Sequence, residues 1–374
     1  MNRQALLDGA RRVVVKVGSR VVTADGGGLD GDRIQALTGE IADLRSAGRE
    51  PLLVSSGAVA AGRRRLGLTG PPRSLAESQA AAAVGQGALI AAYDSAFRRR
   101  EITSAQILVT HDDARNRDRF LNARRTLEAL LRHKVVPVIN ENDTVSTAEI
   151  RVGDNDHLSA QIAHLVDADL LILLSDIDAL CTGDPYRDPD STPIHEVTQI
   201  DEALLELAGA SHGTVGSGGM RTKVLAARQA SRYGVATLIL NGHREGELGR
   251  ALAGEITGTL FWPEKHRLSS RKQWIAFSLK PAGELHLDDG ACRALTERGS
   301  SLLAAGITEV HGAFAAGSLV SCHDPAGKEI ARGLTNYASD ELLRIRGHHS
   351  REITDLLGYT AFEEVIHRDD LVIL

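Results

Sequence analysis

The sequence predicts an α/β protein: a three-layer α/β/α sandwich around a mainly parallel sheet, followed by a small C-terminal β-rich, barrel-like domain. Three observations carry this expectation. Short apolar runs alternate with helical patterns through the first 242 residues, the order that builds a parallel sheet covered by helices on both sides. The runs are continuously apolar rather than alternating, as in parallel strands buried on both faces. Beyond residue 264 the pattern changes to short strands between glycine turns, and the charge balance changes with it. Residues 1–280 carry 35 basic and 34 acidic side chains, whereas residues 281–374 carry 8 basic and 15 acidic, a net of −7. A chain of 374 residues is also long enough for two domains.

In chain order, strands are expected at 13–17, 51–54, 105–110, 135–139, 170–174 and 236–240. A helix over 32–47 puts Ile34, Leu37, Ile41 and Leu44 on one face, and one over 156–166 does the same with Leu158, Ile162 and Leu165. Residues 143–154 break the rhythm: Val145, Ile150 and Val152 flank polar residues in a small hairpin or flap. The first domain is expected to span 1–262. Residues 263–280, with Lys265, Arg267, Arg271 and Lys272, read as a basic, polar linker. Residues 281–360 read as the β-rich domain, with strands at 283–287, 301–307, 317–322 and 329–334, and 361–374 as a tail.

Composition is that of a globular protein, 43% hydrophobic and 25% charged. Cys181, Cys292 and Cys322 lie far apart without metal-ligand spacing, which argues against a disulfide framework and for a reducing compartment. The apolar run near the N-terminus is short and interrupted by Lys16, unlike a signal peptide, and no stretch approaches a membrane span. A cytoplasmic protein without a membrane partner is expected. The acidic C-terminal region is a poor partner for a phosphate backbone, so nucleic-acid binding is not expected.

Five segments concentrate chemistry. The most crowded is 140–156, which follows a strand and opens on Asn140-Glu141-Asn142-Asp143 and closes on Gly153-Asp154-Asn155-Asp156. Its carboxyl and amide groups suit a small, doubly charged molecule, and open α/β sheets place ligands at the carboxyl ends of their strands. Val15-Lys16-Val17-Gly18-Ser19 is either a strand end with a snorkelling lysine or a phosphate-binding turn, in which Gly18 admits an anion and Lys16 supplies charge. Only seven of the 43 basic residues are lysine. In a chain that uses arginine for generic surface cations, a lysine in a glycine motif is less readily filler. Ser55-Ser56-Gly57-Ala58 is a serine N-cap or an anion site at a helix start. Gly216-Ser217-Gly218-Gly219-Met220-Arg221-Thr222-Lys223 is neither a Walker A loop nor a dinucleotide fingerprint. It is a flexible linker, or a glycine loop presenting Lys223 to a phosphoryl group. Ser175-Asp176 ends the most apolar strand, where Asp176 orients a nucleotide or a lysine, or caps a turn.

These motifs, in this order, resemble the amino-acid kinase family, and within it the members that phosphorylate glutamate. The resemblance rests on Val15-Lys16-Val17-Gly18-Ser19, on Ser55-Ser56-Gly57-Ala58-Val59-Ala60-Ala61-Gly62, on Arg119-Phe120-Leu121-Asn122-Ala123-Arg124, on 140–156, and on Gly218-Gly219-Met220-Arg221-Thr222-Lys223. The tail is similar to a PUA domain through Gly283-Glu284-Leu285-His286-Leu287, Ser301-Leu302-Leu303-Ala304-Ala305-Gly306 and Ile330-Ala331-Arg332-Gly333-Leu334. The resemblance implies the amino-acid kinase fold and ATP-dependent phosphorylation of the γ-carboxylate of L-glutamate to L-glutamyl 5-phosphate, the first step of proline biosynthesis. It implies that Lys16, Lys223 and Asp156 are catalytic, with Asp156 holding the lysines rather than taking a proton. By the same resemblance Ser56, Gly57, Asp143 and Asn155 bind glutamate. Lys16, Gly18, Ser175, Asp176, Ser217, Gly218, Gly219, Met220, Arg221, Thr222 and Lys223 bind ATP. Mg2+ is expected to arrive on ATP without protein ligands. Feedback inhibition by proline, a homo-oligomer (dimer or tetramer) and hand-over of the acyl phosphate to glutamyl phosphate reductase come with the family. The chain departs from the family pattern at Ser175, Ala179, Cys181 and Arg221, positions that bear on nucleotide packing.

Overall fold

The computed structural model describes residues 2–374 except 25, 69, 71, 111–112, 114–116, 146–153, 186–187, 189, 211–218, 265–280 and 360–361, and the backbone alone at 117, 118, 121, 154, 210 and 369. The chain forms two compact units, Met1–Arg267 and Leu268–Leu374. Most of the expected linker, most of the expected flap, and Ser217 and Gly218 lie outside the described residues.

In the first unit the described elements run α1 (Arg3–Gly9), β1 (Arg12–Val17), α2 (Ser19–Val22), α3 (Gly31–Ser46), β2 (Glu50–Ser55), α4 (Ala58–Arg65), α5 (Leu75–Arg98), β3 (Ser104–Val109), α6 (Arg117–Arg132), β4 (Val136–Glu141), α7 (Asp154–Leu165), β5 (Leu170–Ser175), β6 (Glu196–Val197), α8 (Glu202–Ala210), α9 (Met220–Arg232), β7 (Ala236–Asn241), α10 (Glu247–Leu252) and β8 (Thr259–Phe261). The strands make one sheet in the order β3-β4-β2-β1-β5-β7-β8-β6. Only the β7–β8 pairing is antiparallel. The six strands expected here all form within two residues of their expected bounds. Strands β6 and β8, of two and three residues, are too short to leave a period in the sequence.

Strand β1 shows how the sheet is covered. Successive side chains point to opposite faces. Val13, Val15 and Val17 pack into a core shared with Ile34 and Leu37 of α3, Leu89 and Tyr93 of α5, and Leu248 of α10. Val14 and Lys16 therefore turn to the other face, where α7 lies against β1 and α9 against β7. Helix α3 starts at the Asp30 cap, whose carboxylate accepts from the Arg33 amide at 2.9 Å. Helices α4 and α5 approach through glycines. A Cβ on Gly62 would lie 1.7 Å from the Ala81 carbonyl oxygen, and one on Gly85 1.7 Å from that of Ala58. This backbone contact fixes the Ser56-Gly57 turn, from which α4 departs, against α5.

The second unit is built on β9 (Gly283–Leu287), α11 (Asp289–Arg298), β10 (Ile307–His311), β11 (Leu319–His323), β12 (Glu329–Leu334), α12 (Ser339–Ile345), α13 (Ile353–Leu357) and β13 (Leu371–Ile373). Its five strands are ordered β10-β9-β11-β12-β13. The strand expected over 301–307 does not form. Residues Ala304–Gly306 make a tight helical turn, and the strand begins at Ile307. Residues 361–374, read as a tail, instead supply Ile366, which bridges to Leu302, and edge strand β13, which pairs with β12. A three-residue strand carries too little pattern to be seen before its partner is known. The core holds Leu285, Leu287, Val320, Tyr337 and Cys322, whose thiol is pushed up to about 12 by burial.

Candidate active site

The chain passes from β4 to β5 across β2 and β1, so the strand order reverses beside β1. Such a reversal opens a crevice at the carboxyl ends of the strands. Every expected site segment in the described residues meets this edge. Val17 pairs with Ser55 on one side and Leu174 on the other, which sets those two residues about 10 Å apart, two strand spacings. The Ser56 turn and the Asn140–Asp143 turn thus lie on one flank of Lys16. Ser175, Asp176 and the end of β7 lie on the other.

At the centre, Asp156 is fully buried in the first turn of α7. Its Oδ1 takes the Lys16 ammonium; its Oδ2 takes Lys223 Nζ at 3.3 Å and the Thr222 hydroxyl at 2.9 Å. Lys16 and Lys223 are themselves buried, 4% and 3% exposed. Burial pushes the Asp156 carboxyl up, but the charges of Lys16 and Lys223 and the bonds from Lys16 and Thr222 outweigh it and bring it down to about 2. For Lys223, burial outweighs Asp156 and lowers the ammonium below its usual range, with Lys16 adding to the fall. Two cations share one anion here, a formal excess of one positive charge that suits an incoming anion.

Asn155 precedes this hub. Its Nδ2 donates to the Ser55 carbonyl at 3.1 Å, Ser56 Oγ at 2.8 Å and Asn140 Oδ1 at 3.0 Å. Its Oδ1 is buried and accepts no hydrogen bond among the described residues. A buried unpaired acceptor costs about 1–3 kcal/mol, so this atom is suited to a ligand's N–H. Asn140 is held in turn by Gln86, to whose Oε1 its Nδ2 donates at 2.7 Å. Asn142 closes the turn by accepting from the Thr144 hydroxyl and donating its amide to the Val109 carbonyl. Asp143 sits half-buried in that turn. Gly57 has φ +109°, a conformation that disfavours any side chain, and a Cβ there would crowd Val22 at 3.1 Å.

On the other flank, Ser175 is buried and donates to Asp176 Oδ1 at 3.1 Å. Asp176 also accepts from Arg20 at 2.7 Å. Burial raises its carboxyl and the Arg20 bond overcomes that, for a net lowering. Asp178 accepts from Asn241 at 2.6 Å and Arg244 at 2.7 Å. Among the described residues, Gly219 starts α9 with no side-chain cap, and nothing lies within 4 Å of where its Cβ would be. Gly18 donates its amide to the Leu174 carbonyl at 3.1 Å and starts α2 at an ordinary φ of −69°. Met220 is buried, and Arg221 reaches to the Leu205 carbonyl at 3.2 Å, fastening α9 to α8. Gln86, Arg20 and Asn241 carry no signal in the sequence, because single polar residues in helices and strand ends have no spacing that marks them.

The chain belongs to the amino acid kinase family, whose model matches residues 11–241. A PUA domain model matches residues 283–357. Along its whole length the chain is similar to proteins named glutamate 5-kinase. It is 50% identical to that of Citrifermentans bemidjiense over 372 residues, covering 100% of both chains. It is 51% identical to that of Trichlorobacter lovleyi over 372 residues, covering 100% of this chain and 99% of the relative. It is 49% identical to that of Chromobacterium violaceum over 370 residues, covering 99% and 100%. No helix among the described residues is long and apolar enough to cross a membrane.

Proposed function

We propose that the protein transfers the γ-phosphoryl group of ATP to the γ-carboxylate of L-glutamate, giving L-glutamyl 5-phosphate and ADP. The observation that carries this reading is the buried Lys16–Asp156–Lys223 hub beside Asn155 and Ser56. A glutamate side chain with an ordinary carboxyl pKa near ~4.3 is already ionised at neutral pH, so the nucleophile needs no base. A carboxylate oxygen bonds to the γ-phosphorus as the bond from that phosphorus to the β-phosphate oxygen breaks, and the electron pair leaves with ADP. The barrier lies in bringing one anion to another, which positioning and fixed positive charge lower. Lys16 and Lys223 supply that charge to the transferring group, and Asp156 holds both in place. Asn155 Oδ1 accepts from the glutamate ammonium and Asp143 neutralises it, while Ser56 and Gly57 border the same end. ATP lies toward Ser175, Asp176 and the start of α9, its phosphates meeting the uncapped amides at Gly219 and Met220.

Mg2+ neutralises phosphate charge when bound with ATP. The residues fit an ion carried by the nucleotide rather than by the protein, since Asp156 is engaged by two lysines and Asp176 by Arg20. We further place the protein in the cytoplasm, as a dimer or tetramer inhibited by proline at or near the glutamate site. Its labile acyl phosphate passes to the reductase that consumes it. The test is ATP-dependent hydroxamate formation across a panel of amino acids, with N-acetylglutamate included because it lacks the ammonium. Turnover with glutamate alone is expected; no turnover with glutamate overturns the reading.

A further inference from the structure

The second unit carries a group of side chains of metal-ligating type. On β9, Leu285 and Leu287 point into the core, so Glu284 and His286 point outward; on β10, Val310 points inward and Glu309 and His311 outward. Register sets Glu309 directly across from His286, and His323 of β11 across from His286 on its other side. Directly opposed residues hold their Cβ atoms roughly 5 Å apart, close enough for their side chains to share a ligand. One ligand atom each from His286, Glu309 and His311 lies within 4.8 Å of the others. His311 Nε2 is 3.0 Å from Glu309 Oε2, and the His286 and His311 rings meet edge-on at 5.1 Å.

We infer that this outer face binds one divalent first-row transition-metal ion, of the Zn2+ class, through His286, Glu309 and His311. Two imidazoles and one carboxylate favour such ions over Mg2+ or Ca2+, which take oxygen ligands. Three protein ligands leave positions for water, in keeping with side chains 55% and 60% exposed at His311 and Glu309. His323 is not a ligand. Its Nδ1 faces the Gly327 carbonyl, which only accepts, so Nδ1 carries the proton; its Nε2 lies 3.0 Å from the Ser321 hydroxyl, which also reaches the Gly283 carbonyl. With both nitrogens used, the ring lies along His286 at 5.4 Å and 24°, a wall that sets the orientation of the ligand ring. The net −7 of residues 281–374 favours the cation further.

Untagged full-length protein, stripped with EDTA and dialysed, is titrated with ZnCl2 by calorimetry without nucleotide, once in the absence and once in the presence of excess MgCl2. One Zn2+ per chain is expected, at an affinity Mg2+ does not change. His311→Ala and Glu309→Gln, both at exposed positions that leave the fold intact, each weaken it by ~10-fold or more. His243→Ala, an exposed histidine of the other unit, leaves it unchanged. No saturable uptake, uptake that Mg2+ abolishes, or equal affinity in His311→Ala and the wild type overturns the inference.

Discussion

Replacing Asp156 by asparagine keeps the shape of the side chain and removes the one negative charge between two buried ammonium groups. Lys16, Lys223 and Asp156 expose 5%, 4% and 0% of their side chains, so water cannot take over the lost partner's role. The fall of the carboxyl from 3.8 to about 2 corresponds to roughly 2–3 kcal/mol of preference for the charged form. Removing one partner of a buried pair costs more, about 3–5 kcal/mol, because the remaining charges stay uncompensated. At roughly 2–4 °C per kcal/mol for a unit of this size, Tm falls by about 6–20 °C. In the hydroxamate assay kcat falls about 10²–10³-fold, the loss expected when transition-state donors are no longer held in place. If Asp156 acts only through the two lysines, adding Asp156→Asn to a variant that already carries Lys16→Met and Lys223→Met slows it little further. A kcat of Asp156→Asn within about threefold of the wild type, or a further large loss in the triple variant, refutes the positioning role. The pH dependence follows from the same depressed carboxyl. Its stabilisation is present above the unfolded value of about 3.9 and disappears as pH falls through about 2. Acid denaturation of the wild type is therefore steeper in that window than that of Asp156→Asn.

Asn155→Ala removes the amide that donates to Ser55, Ser56 and Asn140 together with the free buried acceptor; the KM for glutamate rises about tenfold or more while that for ATP holds within about twofold, as measured by initial rates. Gly85→Ala places a methyl 1.7 Å from the Ala58 carbonyl oxygen, and the forced separation of α4 and α5 lowers stability by about 1–3 kcal/mol or more in urea unfolding. Arg221→Ala loses the bond to the Leu205 carbonyl; stability drops by about 1 kcal/mol and the KM for ATP stays within about twofold, whereas a large rise in that KM shows that the guanidinium serves the nucleotide after all.

The sequence by itself determined the six long strands of the first unit, its parallel α/β class and the identity of the polar turns. These are local properties: a doubly buried strand must be apolar throughout, and Gly57, at φ +109°, sits where a turn disfavours any side chain. It did not determine that residues 371–373 complete the C-terminal sheet, or that Ala304 to Gly306 turn instead of extending, because β13 has meaning only once β12 lies beside it. The site divides in the same way. Lys16, Asp156 and Lys223 were legible as residues, but only the fold joins them. Lys16 shares a face with α7 because β1 alternates, and Lys223 meets Asp156 across 67 residues because α9 packs beside α7. Gln86 reaches Asn140 across 54 residues, and Asn155 reaches Ser56 across 99. No local pattern specifies such pairs; they exist because parallel strands bring distant carboxyl ends to one edge, where a buried polar atom must find its partner in space rather than in sequence.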